Sequence, residues 1–193
     1  MFSLSNLADP VLKNTVSVDF EIETIYPFKD KLFIGSTSVV YIFSISNPET
    51  PEKLSTAISP NVLRRCDPVI ARDTVAYATL RTNSACGGWI QSILAVYDIK
   101  NIANPVQKTF RNLQHPYGLG FADTCLYVAT QRGLNVYSIA KEYNPVFQEI
   151  QEPKIGFFML YLTAILLLNG QKDEAILFDI TNKGNPVFIT KII

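Results

Sequence analysis

The chain has 193 residues, 48% of them hydrophobic, enough to bury a substantial core. Seventeen basic and seventeen acidic residues cancel to a formal charge of zero, which removes the electrostatic footprint expected of a binder of nucleic acid or anionic membrane. The longest apolar stretch, Ile155 to Leu168, holds about 14 residues against the roughly 20 of a membrane-spanning helix, and reads instead as two buried strands.

The chain opens on Phe2-Ser3-Leu4, followed by Pro10. This phrase, a large apolar residue, a polar residue and an aliphatic one, with proline six positions after the last, returns four times. It recurs as Phe43-Ser44-Ile45 to Pro51, Tyr97-Asp98-Ile99 to Pro105, Tyr137-Ser138-Ile139 to Pro145 and Phe178-Asp179-Ile180 to Pro186. The prolines stand 41, 54, 40 and 41 residues apart, a period that signals repeated units, none of which can bury its apolar face alone.

Within each unit the phrase ends a strand rich in β-branched and aromatic residues, such as Val39 to Phe43 or Leu134 to Tyr137. About ten residues upstream lies another strand, Leu32 to Gly35, Leu126 to Ala129 or Leu166 to Asn169. The second complete unit has it at Val75 to Thr79, followed by an insertion of about ten residues that accounts for the period of 54. A further apolar segment precedes it, Pro68 to Ala71 or Pro116 to Ala122, closed by a polar turn at Arg72-Asp73 or Asp123-Thr124. After the phrase come an Asn- and Pro-bearing turn and a final strand, such as Val187 to Thr190, opened by a proline that only an outer strand tolerates.

Four short antiparallel strands, a to d in chain order, predict an all-β fold, a β-propeller of four-stranded antiparallel blades with a innermost and d outermost. Period-two alternation and β-branched content oppose a solenoid of helical repeats. The whole chain, 1–193, reads as a single domain: a half-blade at 1–15 and four complete blades at about 16–61, 62–113, 114–153 and 154–193. Because the half-blade holds only c and d strands, we expect either an open, partial propeller or the C-terminal part of a longer one. No export signal opens the sequence.

Val-Tyr-Asp-Ile followed by Asn-Pro resembles the LVIVD repeat. Cys66-Asp67-Pro68-Val69 through Ala76 to Arg81, then Ser84-Ala85-Cys86-Gly87-Gly88 and His115 to Gly120, is similar to LVIVD-repeat lipoproteins of Bacteroidetes. The resemblance covers nearly the whole chain, most specifically Ile22 to Ile139. It implies a β-propeller without established enzymatic activity, held at the cell envelope or outer surface by an N-terminal lipid, which here would belong to a longer precursor.

Candidate chemistry is sparse. Cys66 enters an a strand and Cys86 leaves the paired b strand, so both sit on one face of the second blade and could bond; two reduced thiols are the alternative. Such a disulfide would close a loop of about 20 residues and contribute roughly 3 kcal/mol. No second Cys or His lies at ligand spacing, so no metal site is expected, and no cofactor motif appears; Pro116 to Gly120 is too short and wrongly placed for a phosphate loop. Cys125 reads as a buried small hydrophobe.

His115 is the only histidine and lacks a Gly-x-Ser-x-Gly partner, which favours a residue packed into the turn before Pro116 over a general base. Asp98 and Asp179 share their slot with Ser44 and Ser138, which points to hydrogen bonding within the turn rather than acid–base work. Loops between b and c, with those entering a, gather Asp67, Arg81, Asn83, Trp89, His115, Tyr117, Gln131, Arg132, Lys172 and Asp173 at one end of the fold. From that set, Asp67, Arg81, Trp89, His115, Tyr117 and Arg132 are the candidate ligand-binding residues. The expected function is a non-enzymatic binding or scaffold module facing an envelope protein or glycan. The alternatives are a hydrolase or lyase built around His115 with Asp67 or Arg132, or a purely structural array.

Overall fold

The computed structural model describes residues 1–18, 21–36, 39–57, 68–80, 92–130, 132–151, 159–162, 166–170 and 175–192. Every regular element among them is a β-strand. A two-stranded pair, β1 (Phe2–Ser3) and β2 (Val11–Leu12), is followed by four sheets. The first contains β3 (Ile22–Phe28), β4 (Lys31–Ser36), β5 (Val40–Ser44) and β6 (Glu52–Ala57). The second contains β7 (Val69–Arg72), β8 (Val75–Leu80), β9 (Ser92–Asp98) and β10 (Val106–Leu113). The third contains β11 (Pro116–Ala122), β12 (Cys125–Thr130), β13 (Gly133–Ser138) and β14 (Val146–Gln151). The fourth contains β15 (Met159–Leu162), β16 (Leu166–Gly170), β17 (Ala175–Asp179) and β18 (Val187–Ile192). Each sheet is an antiparallel meander in chain order, and β1 and β2 correspond to c and d strands.

Local chemistry sets the turns. Between a and b the reversal takes two residues, with Phe28 opposite Lys31, Arg72 opposite Val75 and Ala122 opposite Cys125. Lys29, Asp73 and Asp123 take the left-handed conformation there, with φ of 54°, 51° and 52°. Aspartate tolerates it through its short polar side chain. Between c and d the polar residue of the phrase accepts a hydrogen bond from the backbone two residues on. Asp98 accepts from Lys100 N at 2.9 Å and Asp179 from Thr181 N at 2.7 Å. Ser3, Ser44 and Ser138 make the same bond at 3.4, 3.4 and 3.5 Å. Each proline of the phrase immediately precedes its d strand, so its missing N–H costs no ladder bond.

Packing is sheet against sheet. Phe33, Val40 and Ile42 of the first sheet share a core with Val69, Ala71, Ala76, Ala78 and Tyr97 of the second. On the second sheet's other face, Ile70, Val75, Tyr77, Leu94 and Val96 meet Leu119, Leu126, Val128 and Tyr137 of the third. The third sheet's far face, Cys125, Tyr127, Ala129, Leu134 and Val136, meets Ile176, Phe178 and Ile180 of the fourth. Because the b strands are covered on both sides, β8 and β12 are buried at all six positions, whereas β10, the outer strand, alternates exposed and half-buried. First strands of successive sheets touch one another, β3 with β7, β7 with β11 and β11 with β15, and so form the inner edge.

A hydroxyl ties each of the first three sheets to the c–d turn of the next. Tyr77 on β8 donates to the Glu142 carbonyl at 3.0 Å, and Tyr127 on β12 to the Lys183 carbonyl at 2.8 Å. The equivalent residue of the first sheet is Phe33, and there Ser55 on β6 donates instead, to the Ile102 carbonyl at 2.5 Å. Ile102, Glu142 and Lys183 occupy one repeat position, four residues after Asp98, Ser138 and Asp179. The two-stranded pair reaches the corresponding turn of the first sheet through Asn14, whose side-chain amide donates to the Glu49 carbonyl at 2.7 Å.

Candidate functional site

The register of the third sheet fixes the site's geometry. Pro116 at the start of β11 lies opposite Thr130, and Thr130 opposite Gly133, so residues just before β11 and just after β12 share one end of the sheet. His115 and Arg132 therefore stand together at that end, both exposed. His115 takes φ of 45°, an orientation that points the chain into the following proline strand. It is not packed into the turn as the sequence suggested. The residue is exposed, and among the described residues its imidazole has no hydrogen-bond or ion-pair partner.

Tyr117 is half-buried against the core between the third and fourth sheets, and its carbonyl accepts from the fully buried Thr79 hydroxyl at 3.0 Å. That bond fixes the start of β11 to the second sheet. Arg132 lies in the turn closed by Thr130, whose hydroxyl donates to the Gly133 carbonyl at 2.9 Å and accepts from the Arg132 N–H at 3.2 Å. The third sheet thus presents two exposed side chains, one imidazole and one guanidinium, on backbone held by buried threonines.

Cys66, Asp67, Arg81, Asn83, Cys86, Trp89, Gln131, Lys172 and Asp173 lie outside the described residues, and with them the expected disulfide. Cys125 begins β12 as a free, buried thiol, and burial, the largest cause, pushes its ionisation up, which keeps it a poor nucleophile. Asp98 is held below the ordinary carboxylate range chiefly by the Lys100 N–H, and Asp179 by its hydrogen bonds to Thr181. Both are committed to their turns. Among the described residues no group of three His, Cys, Asp or Glu side chains is placed to hold a metal ion.

The opposite end of the fold holds a feature that the sequence did not single out. A cleft of about 180 Å³ between the second and third sheets is lined by Arg72, Asp73, Tyr77, Thr124, Glu142 and the apolar Val75, Ile139 and Ala140. Arg72 pairs with Asp73 at 3.5 Å and lies over the Phe121 ring, 5.7 Å from its centre. Burial raises the Tyr77 phenol to about 12, so it stays neutral and serves as a hydrogen-bond group. Its lining sets a guanidinium, two carboxylates and a neutral phenol around a small apolar floor, which suits a polar contact. Arg72-Asp73 reads in sequence only as a turn, and its neighbours Tyr77 and Glu142 are 65 residues apart.

Comparison with known proteins reports on fold alone. No protein-family model matches the chain, and no curated protein matches it. Among solved structures, the β-propeller domain of Cps50 (Swd1) from Myceliophteria thermophila is similar with a TM-score of 0.62 at 14% identity, covering 89% of this chain and 58% of that one. A protein from Lactobacillus plantarum gives 0.62 at 13%, covering 89% and 55%. The computationally designed Ika4 protein gives 0.58 at 11%, covering 90% and 92%. The chain therefore spans a little over half the length of the first two and nearly all of the third. These likenesses, with the sheets described above, establish an all-β, propeller-like fold of four-stranded antiparallel sheets.

Proposed function

We propose that the four sheets are blades of an open or partial β-propeller, with β1 and β2 the outer two strands of another. Its function is that of a non-enzymatic binding or scaffold module of the bacterial cell envelope, whose b–c loop end faces a protein or glycan. The observation that carries this reading is the pairing of exposed His115 and Arg132 at one end of the third sheet, where both side chains are open to a partner. Aromatic and guanidinium groups are the common anchors of such surfaces, and the sequence adds Trp89, Arg81 and Asp67 to the loops of the second blade. The resemblance to LVIVD-repeat lipoproteins supports the envelope setting.

The test is recovery of envelope proteins and glycans on the immobilised chain, wild type beside the Trp89→Ala, Arg132→Ala double variant. A partner specific to the loop end is lost by about tenfold or more in the variant, roughly 1.4 kcal/mol. Equal recovery from both, with unchanged thermal melting, removes the loop end as the binding face.

A further inference from the structure

The junctions between successive sheets are built alike, but their charges differ. Lys29, Asp73 and Asp123 hold the same left-handed place in the a–b turns of the first three sheets. Ile102, Glu142 and Lys183 hold the same place in the c–d turns of the sheets that follow, each lending its carbonyl to the sheet before it. By repeat position the first junction therefore pairs a lysine with an isoleucine and the third an aspartate with a lysine. The second sets two carboxylates, Asp73 and Glu142, on one cleft.

The third junction shows how the fold settles an ammonium at this place. Lys183 Nζ donates to the Ile180 carbonyl at 2.9 Å, and besides burial the Cys125 thiol feels the charges of both Asp123 and Lys183. At the second junction Asp73 stands for Asp123 and Ile139 for Ile180, but Glu142 stands where the lysine was. Those positions line the cleft of about 180 Å³. Asp73 and Glu142 are exposed, while Val75, Tyr77 and Ile139 are buried.

The cations nearby are already engaged. Arg72 answers Asp73 at 3.5 Å and lies over Phe121. Lys100 and Lys108 lie over the Tyr143 ring, 5.8 and 5.7 Å from its centre; Lys108 also pairs with Asp98 at 3.4 Å, and Tyr143 and Asp98 act on Lys100 ahead of Glu142. Glu142 has no ion pair among the described residues, so Arg72 against Asp73 and Glu142 leaves the lining one negative charge in excess.

We propose that this cleft takes a primary alkylammonium from outside the chain, carried by a lysine side chain of a partner protein or by a free alkylamine. The ammonium donates to the Ile139 carbonyl and faces Asp73 and Glu142, and its methylene stem lies on Val75, Ile139 and Ala140. An unbranched stem with a compact head suits so small a space, which falls below the roughly 300 Å³ at which pockets for larger ligands begin. The site is at the end of the fold opposite His115 and Arg132, so the two readings stand or fall separately.

The probe is Nα-acetyl-lysine N-methylamide titrated into the full chain and followed by the backbone amide shifts of Ile139, Ala140 and Glu142. The norleucine derivative is the uncharged control, and diaminopentane is the free amine. Expected are saturable shifts with both amines, none that saturate over the same range with the norleucine derivative, and binding weaker by about threefold or more in Glu142→Gln. The tighter of the two amines names the source. Glu142→Lys copies the third junction, supplies the ammonium from within and abolishes binding, with melting at or above the wild-type temperature. Absence of saturable shifts with either amine overturns the proposal. So does equal binding of the lysine and norleucine derivatives, equal binding by wild type and Glu142→Gln with melting unchanged, or undiminished binding by Glu142→Lys.

Discussion

Tyr77 and Tyr127 each bury a ring in one core and spend their hydroxyl on the turn of the next sheet. Removing the hydroxyl alone leaves the ring's packing intact and an acceptor carbonyl unpaired, a loss of about 1 kcal/mol each. Tyr77→Phe therefore lowers the urea midpoint without changing the slope, and Ser55→Ala does the same at the first junction. The pH dependence has a definite sign. Burial raises the Tyr77 phenol from 10.0 to about 12, so its contribution is complete below pH 10, where the unfolded phenol is also neutral. It is lost as pH rises from 10 toward 12. Melting curves between pH 9 and 12 should fall more steeply for wild type than for Tyr77→Phe; parallel curves contradict the assignment. No such reading was available from sequence. The acceptor is a backbone carbonyl carried by Ile102, Glu142 or Lys183 alike, and the donor is tyrosine at two junctions and serine at the third. The phrase itself was legible because its chemistry is local, an Asp or Ser side chain bonded two residues ahead.

At the scale of the element, the d strands share a feature that no residue type announces. In the four-stranded sheets each pairs with its c strand through one bulge, at Leu54, Lys108, Gln148 and Ile189, each three residues past the proline of its phrase. Residues as different as leucine, lysine and glutamine can stand unpaired there, which is why the pattern is visible only in the register. A bulge twists an outer strand away from straight pairing, and these outer strands carry exposed apolar residues such as Val146, Phe147, Val187 and Phe188. Deleting Gln148 straightens β14 at no change in charge. The expected outcome is faster growth of light scattering at equal concentration, with the monomer's strand content by circular dichroism unchanged; identical scattering would show that the bulge does not protect the edge. Strand positions were predicted well because covered and half-covered strands differ in composition: β8 is apolar but for Thr79, while β10 alternates.

For the whole molecule, two of the three cysteines sit in segments outside the described residues, so the expected Cys66–Cys86 bond rests on the strand order of the second sheet. Thiol titration of the unfolded, unreduced protein decides it. One thiol, Cys125, is expected; three would remove the disulfide. The loop-end residues were readable as a set because strand order alone assigns loops to ends, and His115 beside Arg132 follows that rule. Their exposure was not readable, since it depends on the left-handed turn at His115 and on Thr79 of another sheet holding the Tyr117 carbonyl.

The hydroxyls of Ser55, Tyr77 and Tyr127 all reach c–d turns, while the b–c connections lie at the other end, where Thr79 holds the start of β11. Eleven residues separate β8 from β9 where two separate β12 from β13. A foreign loop grafted between β12 and β13 would leave the three c–d ties in place, so the cost of its insertion would fall on the loop end alone and on the Thr79 bond that holds β11 there.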